Sequence, residues 1–305
     1  MLQILKLMVT VVGVTAVLAA CAPAGAPGPA PSPQPKPRVV VGSKNFTEQY
    51  IVGNMVAELL EAAGYPVERK LGLGGTAVVH QALVNGEIDV YVEYTGTGLL
   101  VHLKEPVRTD PDEVYSIVRN EYLKRWKLVW LKPWGFNNTY ALAMRRDRAE
   151  QLGVRKISDL KGKAGELVLG ATQEFIARPD GLPGLEQKYG IKFKEARGMD
   201  PGLMYPAVDA RQVDVISAFA TDGRIAALNL VVLEDDLRFF PPYYAAPVVR
   251  QDLLDRSPEV ADILNRLAGK IDDATMARLN AEVDLNKREP RDVGRQFLQG
   301  LNLLR

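Results

Sequence analysis

Cysteine occurs once and histidine twice among 305 residues, and 38 Lys and Arg against 37 Asp and Glu leave a formal charge of only +1. The lone cysteine, Cys21, excludes any disulfide within the chain. His80 and His102 have no second ligand beside them at metal spacing, so structural roles are expected for both and no metal or other cofactor is expected. A near-neutral balance offers no basic face for nucleic acid. The brief cluster Arg145, Arg146 and Arg148 reads as a solvated edge between a strand and a helix. Beyond residue 20 no stretch is apolar enough to span a bilayer. There is no Walker-type phosphate loop and no Gly-x-Ser-x-Gly elbow, and two histidines are too few for the commonest general-base arrangements, so nothing marks an enzyme.

What is present begins with an export signal. A short basic start carrying Lys6 runs into an apolar stretch over 7–18, which ends in Leu18-Ala19-Ala20-Cys21. The run is shorter than the ~20 apolar residues a spanning helix needs. Leu-Ala-Ala-Cys resembles the bacterial lipobox, which implies cleavage after residue 20 and lipidation of Cys21, and thus anchorage to a membrane. The alternative is a soluble secreted protein whose cysteine merely adjoins the cleavage site. Residues 21–37 are almost all Ala, Pro and Gly, a composition that buries no core and reads as an extended linker of about 3.1 Å per residue.

From about residue 38 the composition is globular, and strands alternate with helices as in α/β layers. Val39, Val40 and Val41 read as a buried strand, followed by a helix from Thr47, a plausible N-cap, with Ile51, Val52, Met55, Val56, Leu59 and Leu60 at helical spacing. Further strands are expected over 67–71, 88–94, 128–131, 140–144, 167–171, 191–195 and 213–218, with a helix over 111–124. Tyr115, Tyr122 and Trp126 on that helix read as a packing stripe. Residues 132–138 and 239–247 carry proline, aromatic and small residues without periodicity, and read as two segments crossing between lobes. From about Leu253 helices are expected, with Ala261, Ile263, Leu264, Leu267 and Ile271 as one apolar stripe. A neutral two-lobed body on a flexible stalk suits a receptor whose cleft closes over a small solute.

The segments Gly42-Ser43-Lys44-Asn45-Phe46-Thr47-Glu48-Gln49, Gly74-Gly75-Thr76 and Ile88-Asp89-Val90-Tyr91-Val92-Glu93-Tyr94-Thr95-Gly96-Thr97 resemble the substrate-binding proteins of glycine betaine, carnitine and choline ABC importers. The likeness continues through Asn137-Asn138-Thr139-Tyr140, Phe175-Ile176-Ala177-Arg178-Pro179-Asp180-Gly181, Thr221-Asp222-Gly223-Arg224 and Pro241-Pro242-Tyr243, so it covers essentially the whole folded body. It implies an α/β, two-lobed type II periplasmic-binding-protein fold, each lobe a mixed, mostly parallel sheet flanked by helices, with the ligand in the cleft between them. Lobe 1 is then 38–137 plus 246–305 and lobe 2 is 138–245. The implied partners are a small quaternary ammonium ligand, a membrane permease and its separate ATPase. A monomer working outside the cytoplasm is expected.

A quaternary ammonium has no hydrogen to donate, so recognition falls to the negative faces of aromatic rings. The resemblance places Tyr94, Tyr140, Phe219 and Tyr243 in such a box, and Phe219 departs from relatives that carry tyrosine there. It assigns a ligand carboxylate to Lys44, Thr97 and Arg178, and puts a backbone carbonyl near Asn138 against the ammonium methyl groups. Two cations at the carboxylate end favour a zwitterion such as glycine betaine over choline. The rivals are a same-fold receptor for another solute, such as choline, carnitine, ectoine or an amino acid, and an exported enzyme. Tyr244, next to Tyr243, reads as a packing residue.

Overall fold

The computed structural model describes residues 35–304. The export signal, Cys21 and nearly all of the linker lie outside the described residues. Two five-stranded sheets carry the folded body. The first contains β1 (Val39–Gly42), β2 (Val67–Lys70), β3 (Val90–Tyr94), β4 (Leu128–Trp130) and β10 (Ala245–Arg250), in the order β2-β1-β3-β10-β4. The second contains β5 (Tyr140–Arg145), β6 (Val168–Ala171), β7 (Glu195–Gly198), β8 (Val215–Phe219) and β9 (Leu230–Leu233), in the order β7-β6-β8-β5-β9.

The two sheets are built alike. Three parallel strands run together in each, and the next place is taken by one antiparallel strand, β10 in the first sheet and β5 in the second. Those two strands are the ones entered from the segments that link the sheets. The linking segments hydrogen-bond to each other: Trp134 N donates to Ala245 O at 2.9 Å, Asn138 N to Tyr243 O at 3.1 Å, and Tyr243 N to Asn137 Oδ1 at 2.7 Å. The two crossings therefore form one short ribbon. The fold is a two-lobed α/β fold, as expected.

Most strands fall where the apolar runs put them, with three differences. The expected strand over 191–195 lies further on, at Glu195–Gly198: Ile191 and Phe193 are buried as loop residues, while the paired strand is the exposed edge of its sheet. Alternating apolar residues mark burial there and not pairing. Strand β9 was not anticipated, and β10 lay partly inside a stretch read as irregular. Pro247 hid β10, because proline within a run argues against a central strand. Its carbonyl nonetheless accepts from Leu131 N at 2.9 Å.

Helix Thr47–Ala62 has the expected apolar positions, yet its buried residues run nearly all round it, because the C-terminal helices Asp273–Asp284 and Pro290–Gly300 pack on the side away from the sheet. Thr47 is not its N-cap. Phe46 holds that position with no side-chain bond, and the Thr47 hydroxyl donates to Asp284 Oδ1 at 2.7 Å. Helix Pro111–Trp126 starts as expected, with the Asp110 side chain accepting from Glu113 N at 2.8 Å and proline at the first turn. Tyr122 meets Trp126 and Trp130 edge to face, at 4.9 and 5.2 Å between ring centres. In the C-terminal part Leu264, Leu267 and Ile271 are fully buried, but the helix Glu259–Asn265 ends before the last two.

His80 and His102 stack face to face at 3.8 Å in this core. Burial first, then the neighbouring His102, pushes His80 from its ordinary 6.5 down to about 3, against a smaller opposing pull from Glu93. The folded chain thus leaves His80 unprotonated where the unfolded chain takes up a proton, so stability is lost as pH falls from 6.5 towards 3. Melting temperature is expected to drop already between pH 6.5 and the range where carboxylates titrate, and His80→Gln should flatten that part of the curve. A wild-type curve flat over that interval would contradict this account.

Candidate functional site

In open α/β sheets ligands gather beyond the C-terminal ends of the strands. Five such ends, those of β1, β3, β6, β7 and β8, meet here across the ribbon and border a cavity of about 550 Å³. Every residue assigned to the ligand in the sequence analysis lines it: Lys44, Tyr94, Thr97, Asn138, Tyr140, Arg178, Phe219 and Tyr243.

The rings are close enough to act together. Tyr140 lies 5.2 Å from Phe219 and meets Tyr243 edge to face at 5.6 Å. Phe46, which the sequence reading placed in a motif but gave no role, stacks on Phe219 at 5.6 Å and on Tyr94 at 6.3 Å. Phe46 and Tyr94 come from the first lobe, while Tyr140 and Phe219 are paired residues of β5 and β8 in the second. Tyr243, not Tyr244, lines the cavity. Tyr244 instead donates its backbone N–H to Thr95 Oγ1 at 3.0 Å.

Both cations are already paired. Lys44 Nζ sits 2.6 Å from Glu93 Oε1, with the two side chains 4% and 0% exposed. Burial pushes the Glu93 carboxyl up, but attraction to Lys44 and the nearby His102 outweighs it and holds the group down at about 2. Arg178 grips Asp180 with two nitrogens, and its Nη2 also donates to Thr97 Oγ1 at 3.3 Å, which ties the second lobe to the turn after β3. Asp180 accepts in addition from the Tyr243 hydroxyl at 2.5 Å. Isolated buried charges are too costly to persist, so these carboxylates keep the cations in place. Glu93 and Asp180, which partner the two cations expected at the carboxylate end, stand in the motifs that carry the resemblance but have no role in the sequence reading.

The lobes also meet at Glu174, which accepts from Thr76 N at 2.5 Å and from Thr76 Oγ1 at 3.0 Å, at the start of helix Thr76–Asn85. Gly75 is required for that approach, since a Cβ there would come within 2.1 Å of Glu174 Oε1. Glu48, another motif residue without an assigned role, is buried behind the rings. Its carboxylate accepts from Tyr94 Oη at 2.6 Å, Asn138 Nδ2 at 2.7 Å, Thr221 Oγ1 at 2.6 Å and Asn280 Nδ2 at 3.1 Å. The Asn138 side chain is thus engaged through its nitrogen, and its Oδ1 is buried with no partner among the described residues.

Breaking one buried ion pair leaves its partner's charge stranded. Lys44→Met should lower unfolding free energy by about 3–5 kcal/mol. Adding Glu93→Gln should restore much of that loss in a denaturant titration, and a double variant no better than the single would refute the pairing.

Residues 37–300 match the family model described as the substrate binding domain of the ABC-type glycine betaine transport system. A glycine-betaine-binding protein of Pseudomonas aeruginosa is 40% identical over 275 residues, covering 87% of this chain and 88% of that protein. The ergothioneine transport permease/ergothioneine binding protein EgtU of Helicobacter pylori is 37% identical over 266 residues, covering 87% of this chain but 48% of EgtU, so the chain spans about half the length of that relative. A crystal structure of a glycine betaine/carnitine/choline ABC transporter superposes with a TM-score of 0.72 at 34% identity, covering 87% of this chain and 99% of the other. The family match over residues 37–300, with a relative 40% identical over most of both chains, places the chain in the family of substrate-binding proteins of osmoprotectant ABC importers.

Proposed function

We propose that this chain captures a methylated ammonium compound of the glycine betaine kind and presents it to a membrane permease driven by a separate ATPase. The observation that carries the reading is the aromatic set of Tyr94, Tyr140, Phe219 and Tyr243 on one cavity, joined by Phe46. Each partly desolvated ring contact contributes about 0.5–2 kcal/mol to holding an ammonium. Several such contacts supply a good part of the roughly 8 kcal/mol behind a micromolar constant.

Thr97, Lys44 and Arg178 form the polar end, which receives the ligand's carboxylate. Pairing does not exhaust their donors: Nη1 of Arg178 makes no hydrogen bond among the described residues, its nearest carboxylate being Glu174 at 3.9 Å. The pairing does reduce the net positive charge there, so preference for a zwitterion over choline rests on those remaining donors and not on free cations. Asn138 contributes through its amide more than through the backbone carbonyl first expected. Lobe 1 comprises 38–137 plus 246–305 and lobe 2 comprises 138–245, and closure of one on the other buries the solute.

One observation supports a larger ligand as a second reading. The cavity's ~550 Å³ falls in the range of about 300–1,000 Å³ that encloses drug-sized molecules, more than trimethylglycine fills. A betaine with a longer arm or a ring, such as the ergothioneine named for the Helicobacter relative, suits that space.

The working place is outside the cytoplasm, with the body held to a membrane by lipid on Cys21 through a Pro-rich linker and acting as a monomer without enzymatic turnover. Calorimetry with glycine betaine, choline, carnitine, proline betaine, ectoine and ergothioneine should give heat with at least one methylated ammonium and none with ectoine. Tyr94→Ala combined with Tyr140→Ala should abolish that binding, and retained affinity would refute the box. Cys21→Ser should leave binding by the purified protein intact and lose membrane retention, whereas a retained membrane fraction would refute the anchor.

A further inference from the structure

Among the described residues five acidic side chains are buried: Glu48, Glu58, Glu93, Asp180 and Asp222. Four have cations within salt-bridge distance. Glu58 has Arg69, Arg291 and Arg295, Glu93 has Lys44, Asp180 has Arg178, and Asp222 has Arg224. Glu48 alone has none, at 3% exposure, and it stands directly behind two residues that line the ligand cavity.

Its hydrogen bonds identify its state. Gln49 is fixed in orientation, since its Oε1 accepts from Lys44 N and its Nε2 donates to Val92 O, and that same nitrogen donates to the Tyr94 hydroxyl oxygen. The Tyr94 hydrogen is therefore left for Glu48 Oε1. Asn280 is fixed likewise, its Nδ2 donating to Thr221 O as well as to Glu48 Oε2. Asn138 presents its Nδ2 to Oε1. With Tyr94 and Asn280 fixed as donors, and the Asn138 amide and the Thr221 hydroxyl able to donate as well, the arrangement suits an ionised carboxylate solvated entirely by neutral groups. Burial pushes its carboxyl upward, and the bonds from Thr221, Tyr94, Asn280 and Asn138 only partly offset this, so a cation placed in the cavity favours the ionised form further.

We propose that Glu48 is the buried counter-charge of the bound ammonium, a specificity-determining residue that acts from behind the Tyr94 ring and the Asn138 amide. A phenol hydrogen-bonded to an anion has a more electron-rich ring, so the carboxylate strengthens Tyr94 as a cation receptor. Its own field adds to that in a medium where water screens little. Tyr243 is backed by a carboxylate in the same way, through Asp180, but Arg178 already neutralises that group. Phe219 has no hydroxyl to be backed, so its face supplies only the intrinsic attraction of the ring. Glu48 thus selects for positive charge, whereas the rings alone also hold an uncharged tert-butyl group of the same shape.

The proposal rests on the reading that a methylated ammonium occupies the box, and the two fail differently. Calorimetry on the wild type, Glu48→Gln and Glu48→Asp would use two pairs that differ only by carbon in place of charged nitrogen: glycine betaine with 3,3-dimethylbutanoate, and choline with 3,3-dimethylbutan-1-ol. For whichever pair the wild type binds, the ammonium should bind more tightly than its isostere. Glu48→Gln should weaken the ammonium by roughly tenfold, the size of one desolvated charge contact, while the isostere changes little. Glu48→Asp should keep most of the discrimination. Equal losses for both members would reduce Glu48 to a packing role and overturn the proposal, as would a wild type that does not discriminate. If Glu48→Gln does not fold, the ratio in Glu48→Asp decides, and its loss in a folded protein counts against the counter-charge. Should only carnitine or ergothioneine bind, the same comparison is made with that compound and its carbon isostere; binding of no methylated ammonium at all would sink the reading of the box, and this proposal with it.

Discussion

A cavity dry enough for aromatic faces to hold a cation is also one in which a stray charge is expensive, and the rest of the cleft follows from that constraint. Lys44 and Arg178 can stand in it only because Glu93 and Asp180 are buried beside them. Those carboxylates need support of their own, from Tyr91 and His102 around Glu93 and from Tyr243 on Asp180. One of the cavity's rings, Tyr243, is thereby held by the same network that positions one of its cations, Arg178.

Topology brings these groups together. The chain crosses from one sheet to the other and back, and each crossing feeds a strand next to the parallel ones, β5 beside β8 and β10 beside β3. The cavity therefore draws on both sheets and on the ribbon between them. Thr97 with Arg178, Thr76 with Glu174 and Glu48 with Thr221 are contacts between the lobes, so residues that shape the cavity also hold the two lobes together.

Much of the site was legible because its residues stand in short ordered segments: the eight assigned to the ligand all reach one cavity. What was not legible is what those residues do to one another. Lys44 and Glu93 are 49 positions apart, and Tyr243 and Asp180 are 63 apart. No local pattern announces such pairs. Glu48, Glu93 and Asp180 lie within recognised segments without an assigned role, because a carboxylate on a helix or strand edge reads as a solvated charge unless its burial is known; Phe46 reads there as an ordinary loop aromatic, and only its stacking on Tyr94 and Phe219 shows otherwise. Strand β10 was obscured by Pro247, and the edge strand β7 by the burial of Ile191 and Phe193 just before it.

By itself the sequence determined the alternation of strands and helices, the near-zero charge, and the aromatic and basic residue types at spaced positions, since these follow from composition and local periodicity. Only the tertiary structure decided which charges are compensated. Both expected carboxylate-binding cations have carboxylates in contact, while Glu48, unremarkable in the sequence, is the buried acid without a cation among the described residues. Electrostatic energy depends on distance and on exclusion of water, and both are properties of the folded cleft and not of neighbours along the chain.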